Sequence, residues 1–380
     1  MKLVCTGCGK TFPGKAILYR CSHCEALLEV RYPEKIITQK RTWKGSGVWR
    51  YEPLLPTKPL VTLGEGNTGL HLCKNLSSSP FYVKHEGENP TGSFKDRGMT
   101  VGIAWAKKLG ATTVACASTG NTSASLAAYA GRAGMRAIVL IPSGNVAMGK
   151  IAQALVHGAK VIQIDGNFDD AMRLVQQTDA YLLNSINPFR LEGQKTLAFE
   201  VCETLGRAPD TVILPMGNAG NISAIWKGFK EWKAAGRIST LPKMIGVQAA
   251  GANPIVRNLR GQNNSCTVAK PDTIATAIRI GAPVNWTKAI AAIRESRGDA
   301  VTVTDKEILA AQKLLAQKEG LFVEPASAAP VAHLLKTKRR GKVVCIATGH
   351  GLKDPEVILR GSPKWVKIKP DLRALQRVLR

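Results

Sequence analysis

The chain has 380 residues, 44% hydrophobic and 21% charged, enough for two domains with ample cores and unlike a disordered or fibrous protein. No apolar run approaches the length of a bilayer span, and Met1-Lys2-Leu3-Val4-Cys5 leads into a cysteine pair with no apolar signal region, so the expected compartment is the cytoplasm. The formal charge of +26 is densest around Lys336, Lys338, Arg339 and Arg340 and in the tail 364–380; it admits nucleic acid, anionic lipid or an anionic substrate, and equally a solvated basic surface.

The first module is Cys5-x2-Cys8 and Cys21-x2-Cys24, with twelve residues between the pairs. Two such knuckles can place four thiolates on one tetrahedral Zn²⁺, a closed and therefore architectural site. The alternative is a reduced ribbon that folds without metal, with His23 a bystander. Cys73, Cys116, Cys202, Cys266 and Cys345 sit in apolar segments and read as small buried hydrophobes, and a disulfide framework is not expected. Residues 32–49 read as a basic linker, followed by the glycine-rich turn Leu63-Gly64-Glu65-Gly66-Asn67-Thr68.

Residues 88–99 are denser in signals. Asn89-Pro90-Thr91-Gly92 is turn chemistry, Ser93 reads as an N-cap, and 100–109 reads as a helix ending at Gly110. Lys95 then falls in a helix's first turn, where the dipole disfavours an ammonium and leaves a more nucleophilic amine. A solvated surface lysine is the plainer reading of the same position.

Short β-branched runs follow at 81–84, 113–116, 137–141, 161–164, 181–183, 211–214, 244–247, 301–303 and 343–346. Helix-length segments such as 121–133, 146–157 and 190–205 lie between them. Strands alternating with helices predict parallel sheets covered on both faces. So many strands exceed one small domain, and two α/β domains with a cleft between them are expected.

In such sheets ligands sit beyond the carboxyl ends of strands. After the second run comes Ser118-Thr119-Gly120-Asn121-Thr122, whose hydroxyls and free N–H groups suit an anion or simply cap a helix. After the sixth comes Gly217-Asn218-Ala219-Gly220-Asn221, which lets successive N–H groups converge on one anion before the helix 222–235. After the ninth comes Thr348-Gly349-His350-Gly351-Leu352-Lys353-Asp354-Pro355. Asn184, Ser185 and Arg190 follow the fifth, and Arg190 is either a clamp for a second phosphate or a helix-surface arginine.

The strings NPTGSFKDRGM, STGNT, GNAGN, EPASAA and TGHGLKDP, in this order, resemble those of the threonine synthases, pyridoxal-phosphate enzymes of the tryptophan-synthase β type. The likeness runs from about Thr62 to Pro355. It implies fold type II: two α/β domains with the cofactor in the cleft, here with a small four-cysteine ribbon ahead of them. The expected division is a ribbon at 1–40, a large domain at 41–86 with 190–380, and a small domain at 87–189. The resemblance assigns Lys95 as cofactor anchor and catalytic base, Asn121 beside the ring hydroxyl, and 217–221 as phosphate cradle. It places Thr348 at the pyridine nitrogen, and Ser118, Thr119, Asn184, Ser185 and Arg190 on the substrate, and it gives His350 no role.

The implied reaction converts O-phospho-L-homoserine and water to L-threonine and phosphate, by loss of the γ-phosphate and addition of water at Cβ, in a cytoplasmic homodimer. Two alternatives remain at this stage. One is a threonine or serine dehydratase of the same fold, which needs no second phosphate site. The other is a basic nucleic-acid-binding protein on an inactive scaffold, against which intact Lys95 and intact phosphate loops argue.

Overall fold

Runs such as Thr113-Val114-Ala115-Cys116-Ala117 are apolar, β-branched and bounded by turn residues, and they form strands buried on both faces. The computed structural model describes residues 1–143, 148–166, 168–262, 264–337, 341–361 and 366–379. The chain begins with β1 (Lys2–Cys5), β2 (Thr11–Pro13) and β3 (Leu28–Arg31), an antiparallel sheet in the order β2-β1-β3, then the short helix α1 (Glu34–Thr38). Next come β4 (Leu70–Cys73), β5 (Phe81–His85), α2 (Lys95–Lys108), β6 (Thr113–Ala117), α3 (Asn121–Ala133) and β7 (Arg136–Pro142). They continue into α4 (Met148–Val156), β8 (Lys160–Ile164), α5 (Phe168–Gln176), β9 (Tyr181–Leu182), α6 (Pro188–Gln194) and α7 (Thr196–Leu205). The remainder is β10 (Thr211–Pro215), α8 (Gly220–Ala234), β11 (Lys243–Ala249), α9 (Pro254–Leu259), α10 (Trp286–Glu295) and β12 (Asp299–Val303). The last elements are α11 (Asp305–Glu319), α12 (Pro325–Leu335), β13 (Val343–Ala347), α13 (Pro355–Gly361) and α14 (Leu372–Leu379).

Two further sheets organise these elements. One has six strands in the order β12-β11-β10-β13-β5-β4, parallel except for the edge strand β4. The other has four parallel strands, β8-β7-β6-β9. All nine strands expected from the sequence are present, and the ribbon strands and β4 add four more. Helix ends follow local chemistry: Thr304 and Glu307 form a capping box on α11, which stops at Gly320 with φ of 71°.

A buried charge network joins β5, α2 and α7. Arg97 Nε meets Glu86 at 2.5 Å, its Nη2 meets Glu200 at 2.6 Å, and Lys84 Nζ meets Glu200 at 2.8 Å.

Three expectations need correction. The helix expected at 100–109 begins at Lys95, with Phe94 rather than Ser93 in the cap position; Ser93 Oγ still accepts from Lys95 N at 3.4 Å. The segment 32–49 is not a free linker, since it contains α1 and its Trp43 packs on Trp232 with ring centroids 5.3 Å apart. The helix expected at 190–205 starts at Pro188, capped by the Asn187 side chain, and is interrupted at Lys195.

Residue 146, the expected start of α4, lies outside the described residues, as do Lys338, Arg339, Arg340 and Lys364. Lys336 pairs with Glu307 at 2.7 Å. Among the described residues no helix is long and apolar enough to cross a membrane.

Candidate active site

The carboxyl ends of β6, β9, β10 and β13 and the start of α2 surround a cleft of about 330 Å³. Lys95, Ser118, Thr119, Asn121, Asn184, Ser185, Arg190, the loop 217–221 and Thr348 all line it. Every cleft residue singled out in the sequence therefore meets the others in space.

Lys95 is the first residue of α2. The turn before it is pulled over the helix start by the buried carboxylate of Asp96, which accepts from Thr91 N at 2.7 Å, Thr91 Oγ1 at 2.6 Å and Ser125 Oγ at 2.5 Å. Burial lowers the Lys95 pKa from 10.5 to about 7; Arg190 and Lys150 push the same way, and Glu324 opposes them. The amine stands 4.2 Å from the Phe94 ring centroid. A helix-start lysine held near neutral pH is a competent nucleophile and base.

The turn bearing Lys95 is zipped to the β13 loop by backbone bonds. Phe94 N donates to Thr348 O at 3.0 Å, His350 N donates to Gly92 O at 2.9 Å, and Ser93 bridges Gly349. Thr348, buried, shares a 3.1 Å hydrogen bond with Ser327 Oγ. His350 Nδ1 accepts from Leu352 N at 3.1 Å, a local turn contact.

Beyond β10, Ala219 adopts φ of 60° and ψ of 9° at the cap of α8, so the loop 217–221 curls tightly into the helix start. A Cβ on Gly217 would meet Ala277 O at 2.9 Å, which leaves glycine the fitting residue. Asn221 is buried, yet neither polar atom of its side chain has a partner among the described residues. A curled loop, a helix N-terminus and an orphaned buried amide are the donor set a phosphate dianion satisfies.

Across the cleft Asn121 Nδ2 donates to both Glu324 oxygens at 3.2 and 3.1 Å, while its Oδ1 has no partner. Ser118 Oγ accepts from Gly120 N at 3.1 Å. Asn184 exchanges two bonds with the Ala117 backbone, at 3.0 and 2.8 Å, so its amide extends the strand end.

Arg190 is 1% exposed. Its Nη1 donates to Leu183 O at 3.1 Å, Nε has no partner, and no carboxylate among the described residues pairs with it. Burial lowers its pKa to about 10. An arginine buried without a counter-ion among the described residues suits an anionic ligand.

Sequence reasoning missed a group behind this cleft. Lys150 Nζ lies 2.7 Å from Asp354 and 3.5 Å from Glu324, and donates to Thr276 Oγ1 at 2.9 Å. Glu324 and Asp354 stood inside recognised strings, but Lys150 and Thr276 carry no local pattern that would mark them. The loop 276–280 and Gln194 also line the cleft.

In the ribbon the Sγ atoms of Cys5, Cys8, Cys21 and Cys24 all lie within 4.8 Å of one another, with Cys5–Cys24 at 3.4 Å and Cys8–Cys21 at 3.7 Å. Zn–S bonds of about 2.3 Å in a tetrahedron place sulfurs about 3.8 Å apart, so the four thiols can hold one structural zinc. Gly7 N and Cys8 N point at Cys5 Sγ, at 3.3 and 3.4 Å, the backbone support such a thiolate needs.

The family model described as "Pyridoxal-phosphate dependent enzyme" matches residues 61–349. The threonine synthase of Methanocaldococcus jannaschii is 54% identical, covering 99% of this chain and 98% of its own. That of Methanosarcina acetivorans is also 54% identical, over 94% and 93%. Among solved structures, maize serine racemase superposes with a TM-score of 0.64 at 22% identity over 82% of this chain and 91% of its own. The processed form of threonine deaminase isoform 2 from Solanum lycopersicum gives 0.61 at 22% identity over 82% and 86%, and these two likenesses speak for the fold. With half or more of its residues shared with those synthases along nearly its whole length, the chain belongs to the threonine synthases within the pyridoxal-phosphate dependent enzymes.

Proposed function

We propose that the chain is a lyase that converts O-phospho-L-homoserine and water to L-threonine and phosphate. The observation that carries this reading is a second anion site, the buried and unpaired Arg190, in the same cleft as Lys95 and the loop 217–221. A dehydratase acting on free threonine or serine has no use for it.

On this reading the loop 217–221 would hold the cofactor phosphate, Lys95 would anchor the cofactor, and Thr348 would offer its ring a neutral hydroxyl. Asn121, its amide oriented by Glu324, would contact the ring hydroxyl. When bound, the cofactor supplies an electron sink for negative charge developing on substrate carbons. Arg190, with Asn184 and Ser185, binds the substrate phosphate, and Ser118 and Thr119 bind the rest of the amino acid. Lys95, its pKa brought down to about 7, would take the proton from Cα, hand it to the substrate phosphate, and then take one from Cβ. The γ-phosphate departs against Arg190. Lys95 returns that proton to Cγ; water adds its hydroxyl at Cβ, and its remaining proton passes through Lys95 to Cα. Water must enter at that step and be kept out at the others, which closure of the two lobes provides.

The division into a ribbon at 1–40, a large lobe at 41–86 with 190–380 and a small lobe at 87–189 is part of the same reading. What supports it is that the six-stranded sheet draws on the flanking segments and the four-stranded sheet on the middle one. A cytoplasmic homodimer that binds neither membrane nor nucleic acid completes it, and sedimentation of the purified protein tests the dimer. The activity is tested by supplying O-phospho-L-homoserine and L-threonine in parallel. Phosphate release from the first with little 2-oxobutanoate from the second supports the reading, and the reverse pattern makes the chain a dehydratase.

A further inference from the structure

The helix that presents Arg190 to the cleft turns its other side to a second set of buried charges. Glu192 on α6 is 1% exposed; it accepts from Lys195 Nζ at 2.6 Å and from Lys227 Nζ, which reaches it from α8. Lys195 Nζ also lies 2.7 Å from Glu231 on α8, and Lys227 Nζ lies 3.7 Å from the same carboxylate. Two lysines and two glutamates thus close a neutral ring between the α6–α7 junction and α8. Burial alone would raise the Glu192 pKa, yet Lys195 and Lys227 hold it below the usual carboxylate value.

The ribbon module covers this ring. Lys227 Nζ donates to Val30 O of β3, and Lys288 Nζ of α10 donates to Leu28 O at 3.0 Å. The Tyr32 ring lies 4.5 Å from Lys195 Nζ and 5.7 Å from Lys227 Nζ. Neither Glu192 nor Lys227 lines the cleft, so neither can touch what binds there.

The ring joins the two helices that matter to anions. Helix α6 carries Arg190, and α8 begins inside the loop 217–221. They meet with little slack. A Cβ on Gly220 would lie 3.2 Å from Leu191 Cδ2 of α6, and one on Gly228 would lie 2.4 Å from the carbonyl of Lys195 at the α6–α7 junction and 2.9 Å from Ala198 Cβ of α7. Packing this close fixes how near α8 comes to α6 and its junction with α7, and directional bonds between buried charges fix the register.

We propose that Glu192 and Lys227 are positioning residues that set the separation of the cleft's two anion sites, the Arg190 guanidinium and the loop 217–221, with Tyr32 of the ribbon closing the lock. The proposal rests on the reading that Arg190 receives the substrate phosphate. A substrate that must reach Lys95 with one end and Arg190 with the other binds well only when the two sites stand at one distance. A displacement of about 1 Å far from the chemistry can cost up to about a hundredfold.

The test uses the holoenzymes of Lys227→Met, Glu192→Gln and Lys227→Arg. It measures kcat and KM for O-phospho-L-homoserine, inhibition by inorganic phosphate, and the dissociation constant of pyridoxal phosphate from the apoenzyme. KM and the phosphate inhibition constant are expected to rise about tenfold in the Met and Gln variants, while the cofactor constant stays within about threefold and Lys227→Arg recovers KM to within about threefold. Equal losses of substrate and cofactor affinity would overturn the proposal, since a merely structural role predicts them. Unchanged KM in folded variants would overturn it too. If Lys227→Met does not fold, the charge-balanced pair Glu192→Gln/Lys227→Met takes its place. Arg190→Gln, measured alongside, separates the two levels: unchanged KM there defeats the Arg190 reading itself, whereas a raised KM there with unchanged KM in Lys227→Met defeats only the positioning role.

Discussion

Arg97 and Arg190 are both buried almost completely, and they could hardly differ more in company. Arg97 meets Glu86 and Glu200 through four hydrogen bonds, and those carboxylates outweigh burial and raise its pKa further. Arg190 meets one backbone carbonyl, and burial prevails. Two residues before Arg97 on the same helix, Lys95 is also a cation brought low by burial and by neighbouring positive charge. A buried charge whose partners lie within the fold is architecture. One whose partners are missing from the fold faces the cleft, and its partner is what the cleft binds.

The comparison breaks if paired and unpaired cations respond alike to removal. The largest effect is expected at Lys95: Lys95→Ala should lower phosphate release at least about 10³-fold and abolish the visible absorbance of the lysine-bound cofactor, with the fold intact by circular dichroism. Arg97→Met should do the opposite, costing about 3–5 kcal/mol of stability in denaturant titration because Glu86 and Glu200 stay buried without it. Arg190→Gln should raise KM for O-phospho-L-homoserine about a hundredfold, while the urea midpoint stays the same or rises, since no ion pair is lost. A drop in stability like that of Arg97→Met would erase the distinction.

The smallest expected effect is in pH dependence. Cofactor incorporation into apoenzyme needs the neutral Lys95 amine, so its rate should climb as pH rises to about 7 and level off above. Removing the Arg190 charge takes away a cation that lowers the Lys95 pKa, so in Arg190→Gln the midpoint should move to higher pH. A midpoint unmoved by Arg190→Gln would mean the two cations do not sense each other.

Much of the cleft was legible because its parts lie at strand ends and carry local chemistry. Turn residues before Lys95, small residues through 217–221 and hydroxyls at 118–119 state their backbone geometry within a few positions. The α/β alternation was legible for the same reason, as nine separate apolar runs. What escaped depends on distant partners. Lys150 finds Asp354 and Glu324 only after two sheets have formed, and nothing near residue 150 marks it. The start of α2 was placed late because no side chain caps it: Asp96, inside the helix, reaches back to the turn at Thr91, and Ser93 offers Lys95 N only a long contact. The packed state of 32–49 was invisible because Trp43 needs Trp232 and Tyr51 from elsewhere in the chain.

The short backbone zipper between residues 92–94 and 348–350 ties the turn before Lys95 directly to the loop that carries Thr348. Any opening of the mouth would have to pivot about this tether, which keeps the Lys95 turn and the Thr348 loop at one spacing. The tether's slack is decided locally, at Gly92 with φ of 80° and Lys353 packed 3.2 Å from where its Cβ would stand. Gly92 therefore decides how the Lys95 turn seats against the Thr348 loop, whatever the width of the mouth.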